Sequence, residues 1–433
     1  MKFASNRLMT LAGVIALTLL LSAPMTYGAG FSIFEQGARA MGRAGAFTAT
    51  ADDPSAIFFN PAGLAFQHGF NVYLGGTFIT PNVDFTGANP FPGDGVTESL
   101  KSTVFFPPNV YITYDLLDGI TLGLGIFADF GLTTEWDNPA TFSGRYISTK
   151  ASLVSFTINP AIGFKVSDQL ALGVGLNIRT TDVELNRFVP IFDPFTFKVV
   201  DAARVKLESD TQIDFGFNAG LLYKVTDKLR FGFSYRHHIN SELEGKASFT
   251  ILSTGNPQLD AAIAATLPST PIPVRTGINY PKVISIGVAA DPWETWSFEV
   301  NVNWMEWSRF EELKLDFPEN PEFNQTLVQE WDDVFSIRFG VEKVLNDRWT
   351  IRGGFIFDDT PQPPRTMSPI LPDADRYSVI VGTTINFGNW YVDVAEMLLF
   401  FKDRSTSPDN ERGYFGEYSN FTNLVGINLG IRF

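Results

Sequence analysis

Cysteine is missing from this chain of 433 residues, and histidine occurs three times. Neither a disulfide framework nor a thiolate site can be built. A nucleophile–base–orienter set has little imidazole to draw on, and no GxSxG run occurs, so a hydrolase finds little support. Basic residues are outnumbered, 32 Lys and Arg against 47 Asp and Glu, and the net charge of −15 argues against nucleic acid. His237-His238 is the one pair that suggests metal. Neighbours on a strand point to opposite faces, so the two are not expected to chelate together. No metal and no cofactor are expected. Asp332-Asp333 and Asp358-Asp359 read as solvated rim carboxylates, with divalent cations as the alternative.

Long apolar runs are also lacking. Past the N-terminus no stretch reaches the ~20 residues of a membrane helix. The start reads as a signal peptide over 1–28: Lys2 and Arg7 are basic, Leu11 to Leu21 is apolar, and Thr26 and Gly28 suit cleavage before Ala29. Its removal makes the net charge −17, since only Lys2 and Arg7 leave from −15. A retained anchor is the alternative.

What is abundant is glycine (37), phenylalanine (41) and alternation with period two. The last strand sets Val425, Ile427, Leu429, Ile431 and Phe433 against Gly426, Asn428, Gly430 and Arg432. One face suits lipid and the other a polar lumen. A C-terminal strand ending in an aromatic is how outer-membrane barrels finish, and Phe433 is the expected signal to the barrel-assembly machinery. Leu170, Leu172, Val174, Leu176 and Ile178 likewise oppose Ala171, Gly173, Gly175, Asn177 and Arg179. The spacing predicts strands near 69–81, 100–115, 119–131, 150–166, 169–185, 207–225, 228–247, 281–291, 294–309, 329–345, 348–359, 376–388, 389–401 and 422–433.

The connections separate barrel from sandwich. Tight turns fall at Asp118, Ser167, Thr226, Trp293, Asn346 and Gly388. Long connections, 82–99, 132–149, 186–206, 248–280, 310–328, 360–375 and 402–421, alternate with them. This is the form of a Gram-negative outer-membrane barrel, with short periplasmic turns and long external loops. The fold class is therefore all-β: a fourteen-stranded antiparallel transmembrane barrel over 69–433. Trp293, Trp296, Trp304, Trp307, Trp331, Trp349, Trp390 and Tyr391 are expected in interfacial girdles. A barrel this wide leaves interior space. Residues 29–68 lack alternation, are rich in Gly and Ala, and suit a plug; a disordered tail is the alternative.

The segment AGFSIFEQGARAMGRAGAFTATADDPSAIFFNPAGLA, with Glu35-Gln36, Gly42-Arg43-Ala44, Asp52-Asp53 and Asn60-Pro61-Ala62, resembles the N-terminal hatch of the FadL family. FGLTTEW at 130–136, WSRFEELKL at 307–315, DDTPQPP at 358–364 and PDADRY at 372–377 extend the resemblance in order along the chain. That family transports long-chain fatty acids and aromatic hydrocarbons across the outer membrane. The resemblance implies capture of a greasy ligand among outer loops and passage to a deeper pocket that N-terminal residues, Phe31 among them, help close. It implies lateral release at a kink in the third strand, by diffusion alone. The partners implied are hydrophobic small molecules and the lipid and lipopolysaccharide of the outer membrane, with the protein a monomer.

Within this frame, Phe188, Val189, Ile191, Phe192, Phe195 and Phe197 place large apolar side chains on an external loop, as a binding surface would; packing on neighbouring loops is the plain alternative. Leu259, Ile263 and Leu267 have helical spacing in the next loop. Arg187 aligns with a family arginine that meets the ligand carboxylate; a loop salt bridge is its other reading. The second basic position of the family falls at Leu327, which adds weight to a neutral hydrocarbon as the alternative to long-chain fatty acids, the leading ligand class. Phe130-Gly131 is the candidate kink and gate, and Asn60-Pro61-Ala62 are expected against it. Pro107-Pro108 and Pro160 interrupt the strands on either side, or mark ordinary bulges. A general diffusion porin, a barrel hydrolase and an adhesin remain rival functions.

Overall fold

The computed structural model describes residues 30–433. The expected signal peptide and its cleavage point lie outside the described residues. Fourteen strands close into an antiparallel barrel. They are β1 (Phe70–Gly87), β2 (Pro108–Leu117), β3 (Ile120–Phe127 and Gly131–Glu135), β4 (Lys150–Lys165), β5 (Leu170–Asp193), β6 (Lys198–Ser209 and Gln212–Thr226) and β7 (Leu229–Arg236 and Ile239–Ile251). There follow β8 (Ile272–Tyr280 and Val283–Trp293), β9 (Trp296–Met305), β10 (Val334–Val344), β11 (Trp349–Asp358), β12 (Arg376–Asn386), β13 (Trp390–Phe401) and β14 (Gly416–Arg432). The barrel closes where β1 pairs with β14, from Asn71↔Arg432 to Gly87↔Gly416. Closure leaves no free edge between the first and last strands.

Alternation sorts side chains as the pattern implies. Leu172, Val174 and Leu176 are exposed on the outer face, while Ala171, Gly173, Gly175, Asn177 and Arg179 are buried within. The six tight turns fall at the expected places. Gly119 and Gly388 take positive φ there, +77° and +88°, which other residues rarely adopt.

Three expectations need correction. The connection 186–206 is not a loop: β5 and β6 continue outward as a ladder from Glu184↔Glu208 to Asp193↔Lys198. Only residues 194–197 form its turn. Trp307, Trp331 and Tyr391 are not girdle residues but are buried, whereas Trp293, Trp349 and Trp390 are exposed. His237 and His238 sit in a break of β7, and their rings are 4.0 Å apart, so the opposite-face argument does not hold. Among the described residues no group of three His, Cys, Asp or Glu could hold a metal ion.

Residues 30–68 lie against the inner wall. They form α1 (Ala38–Gly42), α2 (Ala56–Phe59) and a 3₁₀ helix over Pro61–Phe66. Inward-facing glycines make room. A Cβ on Gly220 would lie 2.0 Å from Asn60 Oδ1, and one on Gly232 2.2 Å from the Thr48 carbonyl. Polar groups then tie the segment to strands around the barrel. Glu299 of β9 accepts from Ala49 N at 2.8 Å and Thr50 N at 2.9 Å. Arg236 of β7 donates to the Phe58 carbonyl at 3.0 Å, and Ala38 N donates to Asn428 of β14 at 2.8 Å. Each satisfies a buried group that would otherwise cost about 1–3 kcal/mol.

Candidate functional site

β3 is broken where the kink was expected. Phe127 pairs with Thr157 and Gly131 with Val154, so three residues of β3, 128–130, stand against two of β4. The extra residue turns Phe130 inward, where it is buried. On the other side the rungs to β2 stop at Asn109↔Phe127, and the next link is Lys101 N to the Glu135 carbonyl at 2.8 Å. No rung joins 102–107 to 128–134 among the described residues. Pro107 ends this stretch and Pro108 opens β2, and both lack amide donors. Pro160 is different. The β4–β5 register is the same on both sides of it, so it is no bulge, and the Leu176 carbonyl opposite accepts from Asn159 Nδ2 at 2.8 Å.

The N-terminal segment covers the break from within. Ile33 N donates to the Asp129 carbonyl at 2.9 Å, and Gly131 N to the Phe31 carbonyl at 3.1 Å. A Cβ on Gly131 would lie 2.9 Å from Ile33 Cδ1, so the Ile33 side chain packs directly over this glycine. Asp129 accepts from Thr157 Oγ1 at 2.8 Å and pairs with buried Arg179. The Arg179 guanidinium lies 4.7 Å from the Phe130 ring centre and 4.4 Å from that of Tyr280.

Phe31 stands in an aromatic cluster with Phe130, Tyr280, Trp307, Phe310 and Trp331, at centroid distances of 6.0, 6.3, 4.6, 5.8 and 5.7 Å. The expectation that Asn60–Ala62 meet the third strand is corrected. Asn60 Nδ2 donates to the Leu221 carbonyl of β6 at 3.0 Å, and Pro61 lies against Gly173 of β5. Residues 31–33 make the contact with the break instead.

The outer apolar residues divide. Phe188 is buried, and Ile191 packs with Val200 against Leu259 and Ile263 of α3 (Pro257–Thr266). Phe192, Phe195 and Phe197 project from the hairpin tip, Phe197 79% exposed. Arg187 lies beside an apolar group that includes Leu185, Val205 and Leu207; its Nε is buried with no hydrogen-bond partner. It forms no ion pair among the described residues, so the loop salt bridge is not found.

A family model described as "Outer membrane protein transport protein (OMPP1/FadL/TodX)" matches residues 19–433. The chain belongs to this family. It is an outer-membrane transport protein, and its family consists of transport proteins rather than enzymes. A long-chain fatty acid transport protein of Escherichia coli O6:H1 is 25% identical over 457 residues, covering 99% of this chain and 100% of its own. Outer membrane protein P1 of Haemophilus influenzae is 22% identical over 473 residues, with 97% and 98% covered. Among solved structures, a Pseudomonas aeruginosa FadL homologue superposes with a TM-score of 0.81 at 21% identity, covering 94% of this chain and 100% of its own. The P. putida toluene transporter TodX gives 0.72 at 16%, with 94% and 99% covered. These structural likenesses concern the fold.

Against this OMPP1/FadL/TodX frame, one group of residues stands out that sequence reasoning misses. Asp358 is not a solvated rim carboxylate: it is buried and ion-paired with Arg376, Nε to Oδ2 at 3.5 Å. Leu327 lies in a small outer hairpin opposite Leu313 and supplies no charge, but Arg338 and Arg376 line a cavity beside the break. The signal for Asp358 and Arg376 lies in the family motifs DDTPQPP and PDADRY, which contain them.

Proposed function

We propose that the protein is a passive channel for hydrophobic compounds, long-chain fatty acids first and aromatic or aliphatic hydrocarbons second. The observation that carries this reading is the aromatic cluster around Phe31, set directly behind the interrupted β2–β3 rungs. The family membership and the names of the relatives support it. In this reading Phe192, Phe195 and Phe197 capture the ligand. Arg187, Phe188 and Ile191 line the way inward, and Phe31 closes the deep pocket. Residues 29–68 are a hatch fixed by Asn60-Pro61-Ala62, and Phe130-Gly131 is the lateral gate. Segment 1–28 is a cleaved signal peptide. Outer-membrane lipid takes up the released cargo and lipopolysaccharide surrounds the outer rim. The barrel works as a monomer, and the barrel-assembly machinery reads Phe433.

Fatty acids outrank neutral ligands because Arg187 is a cation with no ion-pair partner among the described residues, beside apolar side chains, where a carboxylate forms a strong hydrogen bond. Uptake assays in a deletion strain across oleate, alkanes and monoaromatics test the reading. Loss of oleate and hydrocarbon uptake, restored by the gene, is expected. A steady large conductance in planar bilayers, with hydrophobic uptake unaffected by deletion, would make it a porin.

A further inference from the structure

The wall is interrupted a second time, between β6 and β7. Rungs join these strands from Thr226↔Leu229 to Asn218↔Arg236, and His237 N donates to the Phe217 carbonyl at 2.9 Å. They resume where Asp210 N donates to the Glu244 carbonyl at 2.8 Å, and run on from Ser209↔Gly245 to Ala203↔Ile251. Between these points, residues 211–216 and 238–243 share no backbone hydrogen bond among the described residues. The cause is an offset between two bulges. β6 has its extra residue at 209–211, three residues that face only 182–183 of β5. β7 has its own at His237-His238, since Arg236 and Ile239 on either side are both buried on the inner face. From one bulge to the other the pleats are out of phase. Phe215 and Ile213 are exposed on the outer face, while Ile239 and Ser241, which stand opposite them, are buried within. Opposed residues of a ladder share a face, so the rungs are lost over this interval.

Side chains close the seam instead. Ser241 Oγ donates to Asp214 Oδ2 at 2.5 Å, and Asp214 Oδ1 accepts from Gln212 Nε2 at 3.1 Å. Ile239 lies over Gly216, where a Cβ would be 2.8 Å from its Cγ1. The seam also lies between two apolar groups. Ala247 of β7 packs with Leu185, Val205 and Leu207 beside Arg187. Leu243 and Ile239, further along the same inner face, belong to the cluster of Phe31.

We propose that this seam is an inner gate. β6 and β7 part there to let a hydrophobic compound pass from the apolar group beside Arg187 to the cluster around Phe31, and Ser241 and Asp214 are the latch. The inference rests on the proposed transport of hydrophobic compounds. A ligand moving inward along β7 displaces Leu243 and Ile239. Elsewhere in the barrel, widening the bore would break rungs whose groups have no water to turn to in hydrocarbon. At the seam it breaks one side-chain bond. The gate responds to the bulk of the cargo rather than to its charge, so acids and neutral hydrocarbons meet it alike.

The chain has no cysteine, so an introduced pair can be locked and freed without interference. Asp214→Cys/Ser241→Cys joins two side chains that already meet. Uptake of oleate and of hexadecane is measured in a deletion strain carrying this variant, oxidised and then reduced with dithiothreitol. Mass spectrometry confirms the disulfide, and heat-modifiability on gels confirms an assembled barrel. Oxidation should slow uptake of both compounds about tenfold, and reduction should restore it, while wild type responds to neither treatment. The purified oxidised barrel should still bind oleate through Arg187. Equal uptake by the oxidised and reduced forms, with wild type active, overturns this inference and leaves the transport reading standing. Slowing of oleate alone overturns it too. If wild type takes up neither compound, both readings fall. Ser241→Ala releases the latch and should speed uptake of both, by up to about tenfold for one bond to a charged group. Should the disulfide not form, this variant decides by itself: unchanged or slower uptake by an assembled Ser241→Ala barrel overturns the gate.

Discussion

The ring of Phe31 stands edge-on to the indole of Trp307, with centroids 4.6 Å apart. The chain reaches this position through Gly30, whose φ is +53° and whose missing Cβ would lie 2.7 Å from Trp331. A side chain at residue 30 would strain the backbone and collide with the Trp331 and Trp307 rings. Phe31 contributes area rather than charge. Phe31→Ala should therefore weaken oleate and a neutral hydrocarbon equally, by about tenfold or 1.4 kcal/mol. Titration calorimetry with both ligands checks this; a loss confined to oleate would contradict it.

Arg187 should behave in the opposite way. A charge-assisted hydrogen bond contributes about 1.5–3 kcal/mol. Arg187→Ala should weaken oleate by one to two orders of magnitude and leave the hydrocarbon nearly unaffected. Equal loss for both would mean that Arg187 supports the β5–β6 hairpin rather than the ligand.

Strand periodicity and loop lengths carried the barrel, because each depends on neighbouring residues. The outer hairpin was hidden because Pro190 and Pro194 flank the phrase IFD, and apolar residues there occupy both faces. A strand without alternation reads as a loop. The charged residues of the cavity beside the break were hidden for another reason. Asp358 and Arg376 come from the facing ends of β11 and β12, paired directly across the ladder. Asn60–Ala62 were misplaced likewise: nothing in NPA says which strand carries the glycine that admits it.

Those glycines give a test of the hatch. Gly220→Val would put a side chain where Asn60 Oδ1 now sits, 2.0 Å from an ideal Cβ. Overpacking costs about 1–3 kcal/mol, and the bonds from Asn60 to Thr48 and Leu221 are lost with it. The segment should unseat while the barrel still closes. Planar bilayers should then show conductance steps that wild type lacks.

Asp53 ties seating to pH. Burial pushes its carboxyl from 3.8 up to about 6, against Arg39 and the Ser55 hydroxyl. An acid whose pKa is raised on folding favours the folded state while protonated. Its charge therefore destabilises the seated segment as pH climbs from about 4 through about 6, and the effect is complete above that range. A rise of this size corresponds to about 3 kcal/mol. Among the described residues Asp53 Oδ2 has no hydrogen-bond partner and lies 3.7 Å from Arg39 Nη1, while Oδ1 accepts from Ser55. Asp53→Asn keeps the useful oxygen and removes the charge. It should raise the thermal midpoint of unseating at pH 8 and leave it unchanged near pH 4, read by protease access to residues 30–68.

In the proposed lateral route, release through the wall depends on one surplus residue. Three residues, 128–130, face two on β4. Deleting Ala128 restores a one-to-one count and retains Asp129, the partner of Arg179. β3 could then continue unbroken and pair with the stretch before β2, which closes the opening. An apolar cargo leaving through the hatch would instead meet water, at about 25 cal/mol per Å² of exposed apolar surface. Lateral passage into hydrocarbon avoids that cost. The deletion should abolish uptake of oleate and of hydrocarbons in whole cells. Oleate should still bind the purified barrel through Arg187 and the apolar residues of the β5–β6 hairpin. Normal uptake by an assembled deletion variant would show that the cargo takes another path.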